Sequence, residues 1–455
     1  MYREINSARG VTALREAKHS KAKQLASVIT VFILSRLIYY CVGIRFDATP
    51  LAHFWQYIDI NLLSNNLLQS LYYLHSQPPL FNLFLGLALK FFANHLELVF
   101  TVAYLLLGLL FTGSLYLLMH KLGVPDKLNI LLAALYIISP AVVLYENILF
   151  YTYPIVALLC VSALCLNNFL LTKRLKDGLI FFACSSLIPL TISMFHLLWF
   201  ALILILVFVC DRCNWKRIAL ACCIPLALVF FLYLKNLHVF GIFTSSSWFG
   251  MNFARMTIVH LPEQENKALV RRGEISVLSL IPPFSDLEKY QLYFRGVKKT
   301  NIEVLDQEIK TGGGTNFNNV AFIDISREYL KNSVHILFIQ PKSYIKSLMI
   351  SYWHYFRPST YWRFLENNRN KILALDRFYN LFFCGQFLRN NLEYDENNAI
   401  NNKHGFLNMG LFLLIGYPLL ALYGFRLICK ACSSKPIDLP YAGTLSFLLL
   451  NIGFL

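Results

Sequence analysis

Apolar runs of about the ~20 residues that a helix needs to cross a bilayer recur along this chain, separated by short loops rich in Lys and Arg. The pattern predicts spans at about 25–44, 98–119, 128–144, 153–171, 178–194, 195–210, 218–234, 405–425 and 439–455. One more apolar stretch, Leu80–Phe92, is too short to cross and opens at Pro78-Pro79, so it reads as an interfacial or re-entrant helix. The first run has no small-residue cleavage site and leads into a polar loop, which makes it a retained span, not a signal peptide. The last run reaches Leu455 with no polar or basic stop, and the expectation is a truncated chain that lacks later spans.

The basic loops set the orientation. The N-terminal tail carries Arg3, Arg9, Arg15, Lys18, Lys21 and Lys23. Short loops at Lys121/Lys127, Lys173/Arg174/Lys176, Arg212/Lys216/Arg217 and Arg426/Lys430/Lys435 are also basic. All five fall on the cytoplasmic side, as positive loops should, provided that Leu80–Phe92 does not cross. The chain then divides into a basic cytoplasmic tail (1–24), a seven-span module (25–235) with its first outer loop at 45–97, an external lobe with interfacial helices (236–404), and C-terminal spans (405–455). Asp47, Glu146, the His196 region and the external lobe share the non-cytoplasmic face. The expected fold is an all-α polytopic membrane protein of about nine spans.

Composition agrees with that class. With 57% hydrophobic residues, 15% charged residues and a mean hydropathy of +0.52, a soluble globular domain is excluded. The net charge of +16 invites a nucleic-acid reading, but much of the basic charge lies in cytoplasmic loops. The basic and aromatic stretch 341–363, with Trp353, Tyr355, Phe356, Tyr361 and Trp362, lies outside and reads as an interfacial helix. Gly312-Gly313-Gly314 precedes no strand-to-helix pattern and reads as an ordinary loop, not a phosphate cradle. Of eleven cysteines only Cys384 falls in the external lobe, so no disulfide framework is expected there. The pairs Cys210/Cys213 and Cys429/Cys432 have zinc-site spacing, but their flanks lack zinc-knuckle glycines.

The chemistry must come from a few polar residues near the outer face. Asp47, in RFDATP, has only Arg45 and Asp59 as charged neighbours; it either caps the next helix or acts as a base. Glu146, in the second outer loop, is another outward acid. Arg36 lies inside the first span, where a charge costs at least ~2.5 kcal/mol. It is expected to pair with an acid such as Glu97 or Glu146, or to hold an anionic head group. His196 opens a span and reads as a hydrogen-bonded buried histidine.

These motifs, in this order, resemble the membrane-embedded GT-C glycosyltransferases. Within them the chain is similar to the protein O-mannosyltransferase (dolichyl-phosphate-mannose-protein mannosyltransferase) and lipid A aminoarabinose transferase group. The matching residues are Asp47 in RFDATP, Gln77-Pro78-Pro79-Leu80 in HSQPPL, and the acid-bearing loop YENILFYTYP, across roughly residues 25–235. Three positions depart from the family pattern. Ala48 stands where many relatives have a second acid. Gln77 replaces the Lys that approaches the carrier phosphate, leaving the cation to His75 or Arg45. Tyr153 precedes Pro154 where many relatives have Asp, so the nearest acid is Glu146, which would share a face with 153 if the stretch were helical.

The resemblance implies inverting transfer of a sugar from a polyprenyl-phosphate donor to a hydroxyl of a lipid, glycan or protein acceptor. Asp47 would be the base, with Glu146 beside it, and Arg45, His75, Gln77 and Lys235 would serve the phosphate. The place would be the outer face of a bacterial inner membrane. A divalent metal is compatible with this chemistry and not required by it. The rival readings are a multi-span polysaccharide polymerase or ligase, for which Arg-rich outer loops would be expected, and a transporter, for which paired repeats would be expected.

Overall fold

A computed structural model describes residues 2–291, 293, 299–355, 359–384, 438–454 and a few single positions between 416 and 426; its regular structure is helical. Among the described residues the only β structure is two isolated bridges, Asp47 with Ile148 and Ile309 with Thr315. The bundle begins with α1 (Tyr2–Cys41), in which the basic tail and the first span form one helix of 40 residues. The helices α2 (Leu80–Phe92) and α3 (Leu96–Lys121) follow, joined by a single tight turn at Ala93–His95. Next come α4 (Asp126–Ile138) and α5 (Pro140–Glu146), which bend by 53°. The bend has a local cause. Ser139 caps α5 by accepting from the Val142 amide, and Pro140 takes the first helical position, where its missing N–H costs nothing.

The bundle continues with α6 (Thr152–Thr172), α7 (Leu175–Leu187), α8 (Leu197–Cys210) and α9 (Trp215–Phe240). Among the described residues, four stretches are long and apolar enough to cross a membrane: His19–Cys41, Leu80–Lys121, Thr152–Thr172 and Arg212–Phe240. A fifth is added if α4 and α5 count as one. Leu197–Cys210 and Leu439–Ile452 are apolar but shorter. The span expected at 178–194 is not formed at that length: α7 stops at Leu187, because Pro189 cannot continue it, and residues 188–196 form a turn. The span expected at 405–425 and the Cys429/Cys432 pair fall outside the described residues.

In the bundle α1 packs on α3 and α4, α6 packs on α3 and α7, and α9 packs on α7 and α8. The lobe that the sequence expects to be external contributes α10 (Phe249–Met256), α11 (Ala321–Ile339), α12 (Pro341–Tyr355) and α13 (Leu373–Cys384). Its core is Trp248, Met251, Phe284, Tyr290, Phe317, Phe322 and Tyr329, with α10 laid along α11. On α12, within the stretch expected to be interfacial, Ile345, Leu348 and Met349 are exposed. The last described helix, α14 (Leu439–Phe454), packs on α6 and α8. Two polar contacts fix it in apolar surroundings: Trp199 Nε1 donates to Asn451 Oδ1 at 2.9 Å, and Asn167 Nδ2 to Thr444 Oγ1 at 3.2 Å. A second layer of aromatic packing joins the first outer loop to α2, α3 and the second outer loop, and the polar residues of interest are set in it.

Candidate functional site

The bend between α4 and α5 leaves the last carbonyls of α4 without helical partners, as any helix end does. Side chains from elsewhere fill the gap. Arg36 Nη1 donates to Ile137 O at 2.8 Å, Tyr39 Oη to Ile138 O at 2.6 Å, and Tyr379 Oη to Leu135 O at 3.1 Å. The other two nitrogens of Arg36 meet Glu146 in a fork, Nε to Oε1 at 2.8 Å and Nη2 to Oε2 at 2.7 Å. Tyr153 Oη donates to the same Oε2 at 2.6 Å. Gly108 makes room for the pair, since a Cβ there would lie 2.7 Å from Glu146 Oε2. Glu146 is 1% exposed and fully engaged. It is therefore the partner of Arg36, and Glu97, exposed at the start of α3, is not. The head-group reading of Arg36 has no nitrogen left to serve it. Residues 147–151 are not helical, so Tyr153 reaches Glu146 across a turn and not along one helix face.

The Asp47 backbone pairs with the residues that follow Glu146. Its N–H donates to Asn147 O and its O accepts from the Leu149 N–H, both at 2.8 Å, so the two outer loops run parallel there. The carboxylate is half-buried. Its Oδ1 accepts from Thr49 N at 2.9 Å and Thr49 Oγ1 at 2.6 Å, closing a turn one residue before the short helix Pro50–His53. The backbone just before Asp47 is clamped by the external lobe: Asn368 accepts from Arg45 N at 3.2 Å and donates to Arg45 O at 2.7 Å, and Lys371 Nζ donates to Gly43 O at 2.8 Å. Arg45 itself is exposed, lies 3.7 Å over the Tyr40 ring and donates to the Tyr40 and Ile44 carbonyls.

The HSQPPL segment is fixed from three sides. Lys235 Nζ on α9 donates to Leu74 O at 2.6 Å. Ser247 N donates to His75 O at 2.8 Å, and Ser246 Oγ donates to Ser76 O. Asn318 Oδ1 accepts from the His75 and Ser76 amides at 2.9 and 3.0 Å. His75 is 0% exposed, with Nε2 2.9 Å from Asn318 O and Nδ1 2.7 Å from Ser247 Oγ. A carbonyl only accepts, so Nε2 carries the proton and Nδ1 accepts from the serine. Burial pushes this imidazole down to about 3, the Asn318 carbonyl opposing and the Lys235 charge adding to the shift. His75 is thus a neutral clamp and does not offer the cation expected of it. Lys235 stands beside the segment instead.

Gln77 is buried and lines a narrow cleft with Gln56, Tyr57, Pro78, Phe81, Asn82, Tyr151 and Thr191. Leu80 N donates to Leu190 O at 2.9 Å, which docks the start of α2 on the turn between α7 and α8. Tyr57 Oη donates to Leu149 O at 2.8 Å, so the cleft and Asp47 flank the same strand-like piece of the second outer loop. His196 is half-buried at the start of α8, where Leu197 N donates to Tyr233 Oη at 2.9 Å.

Two functional-site neighbours escaped the sequence reading. Lys310, 5% exposed, donates to Phe54 O at 2.9 Å and to Tyr57 O, and burial, opposed by the charge of Asp59, brings its ammonium down to about 8. Asp59 accepts from Thr311 N and Oγ1 and from Asn61 N; burial alone would raise its carboxyl, but these bonds hold it below its ordinary value. The glycine run is what lets this loop close on the first outer loop, since a Cβ on Gly312 would lie 2.5 Å from Ala52 O and Gly313 has φ +85°. The signal was present in Ser245-Ser246-Ser247 and in Asn316, Asn318 and Asn319. Small polar residues in runs are what a loop needs to bond another loop's backbone.

Among the described residues no three His, Cys, Asp or Glu side chains converge as a metal-ligand group would. No protein family, curated protein or solved structure matches this chain, so the site is read from its own geometry.

Proposed function

We propose that this chain is a GT-C-type glycosyltransferase that moves a sugar, with inversion, from a polyprenyl-phosphate donor to a hydroxyl acceptor. The observation that carries the reading is the pairing of the two outer loops at Asp47. These backbone bonds tie Asp47 to the residues that directly follow Glu146, and Glu146 itself is consumed by Arg36 and Tyr153. Asp47 is left half-exposed with Oδ1 oriented by Thr49. In this reading Asp47 takes the acceptor's hydroxyl proton while that oxygen bonds to the anomeric carbon and the bond from that carbon to the phosphate oxygen breaks. The leaving phosphate gains charge and is met by Lys235 and the amide of Gln77, both held by the HSQPPL segment's contacts. Arg45, two residues from Asp47 and exposed, is on the acid's side of the site. Glu146 serves by holding the second loop in place.

The test is a transfer assay on the purified protein in lipid nanodiscs, with a panel of polyprenyl-phosphate sugars as donors. Asp47→Asn is expected to lower turnover by about 10²–10⁴-fold while donor affinity stays near that of the parent. Lys235→Gln is expected to raise the donor KM. Normal turnover in Asp47→Asn would overturn the reading.

A further inference from the structure

Trp55 is 45% exposed, a large apolar surface to leave open at the rim of a polar site. Its ring is held firmly all the same. It stacks on Phe284 with centroids 5.7 Å apart and planes within 16°, and it lies 5.0 Å from Phe317. Both of those rings are buried against Trp248. Phe284 has φ +64°, a left-handed backbone that costs a bulky residue about 1–3 kcal/mol and persists only where the surroundings impose it. The result is a flat indole with one face backed by a rigid stack and the rest open.

The edge of this platform is polar. Two residues beyond Phe284, exposed Asp286 accepts from Thr315 Oγ1. Exposed His53 sits two residues before Trp55, with its carbonyl 3.8 Å from where a Cβ on Gly314 would lie. Glu288, on the short helix Leu287–Gln291 beside exposed Lys289, and Glu308 are exposed further along the same stretches of chain. The Asp286 carboxylate at the edge disfavours a phosphate or an anionic lipid head group there. An aromatic face with carboxylate acceptors at its edge suits a ring that is apolar on one side and bears hydroxyl donors around it.

We propose that Trp55, with Asp286 and Thr315 at its edge, is a binding platform for a neutral carbohydrate ring. The further step, that this ring belongs to the acceptor, rests on the transferase reading. Trp55 is joined to Asp47 through the short helix Pro50–His53, and its neighbour Phe54 packs on Phe150 and Phe364 at 5.2 and 4.6 Å.

The experiment titrates the protein in nanodiscs of zwitterionic lipid with neutral gluco-, manno- and galacto-oligosaccharides, followed by calorimetry. The parent is expected to bind at least one series. Trp55→Ala should weaken that binding by about 2–10-fold, the scale of a lost aromatic stack, and Trp55→Phe should recover part of it. Asp286→Asn should weaken it to a lesser degree. Equal unfolding midpoints for parent and variants show that the fold is kept. In the transfer assay Trp55→Ala should raise the acceptor KM and leave the donor KM unchanged. Absence of binding by the parent, or equal binding by Trp55→Ala, overturns the platform. So does selective loss of Trp55 fluorescence with brominated lipids, which would make the ring a membrane anchor. The two readings fail separately. Sugar binding that needs Trp55 in a protein whose Asp47→Asn variant transfers normally leaves the platform and removes the transferase. Transfer that needs Asp47 without any oligosaccharide binding does the reverse.

Discussion

Two buried charged or titratable residues have roles that differ from those their position in the sequence suggests. Glu146 reads from the sequence as an outward acid, yet its oxygens are all taken by Arg36 and Tyr153. Removing one partner of such a pair strands the other, at about 3–5 kcal/mol. Glu146→Gln should therefore lower the unfolding midpoint clearly, and the double variant Arg36→Met with Glu146→Met should recover part of the loss, because it strands no charge. A Glu146→Gln protein with the parent's midpoint and no transfer would make Glu146 the base. His75 allows a test by pH. Its folded value of about 3 lies below the ordinary value of about 6.5. Between those values the unfolded chain binds a proton that the folded chain refuses, so stability is full above about 6.5 and falls as pH drops toward 3, by on the order of 1 kcal/mol per unit. His75→Gln can keep both bonds, an amide N–H to Asn318 O and its oxygen to Ser247, with nothing to titrate. Midpoints measured from pH 7.5 to pH 5 should fall less in this variant than in the parent; parallel curves would show that His75 is not the buried neutral group described.

Among the helices, length is what sequence hydropathy reads least well. The first span and Thr152–Thr172 were legible because an unbroken apolar run leaves few alternatives. The run at 178–194 stayed apolar past Pro189 and Leu190, so hydropathy extended a helix that proline geometry ends at Leu187. The loop-to-loop bonds were not legible at all. Nothing local in HSQPPL says that Asn318, some 240 residues away, will hold its backbone. Asp47 was visible because it is one of few charges in its loop, whereas Lys310 and Asp59 were hidden because their meeting depends on a glycine loop closing from the external lobe. The orientation of the elements is open to a direct test. In a background without native cysteines, an impermeant thiol reagent applied to intact cells should modify Glu303→Cys and spare Lys176→Cys, both exposed positions. The opposite labelling would reverse the faces assigned from the basic loops.

At the scale of the whole molecule, the outer loops and the external lobe act as one cap over the bundle. Asn368, Lys371, Asn318, Lys310 and the Ser245–Ser247 run each bond to the backbone of the first outer loop or of its HSQPPL end. The cap meets the bundle where α7 and α8 stop short, at the turn that receives Leu80. At about 1.5 Å per residue, α7 and α8, of 13 and 14 residues, are each about 20 Å long, well under the ~30 Å of a bilayer's hydrocarbon core. Lipids next to this side of the protein must compress or tilt to match it, a hydrophobic mismatch confined to one flank. A dimple of that kind lowers the head-group plane toward the HSQPPL segment, and under the proposed function a carrier lipid arriving sideways would bring its phosphate to Lys235 without leaving the membrane. Turnover should then depend on acyl-chain length when the protein is reconstituted in a series of phosphatidylcholines. It should be highest in thin bilayers and fall as the chains lengthen, and a rate indifferent to thickness would mean that the short helices leave the surrounding membrane flat.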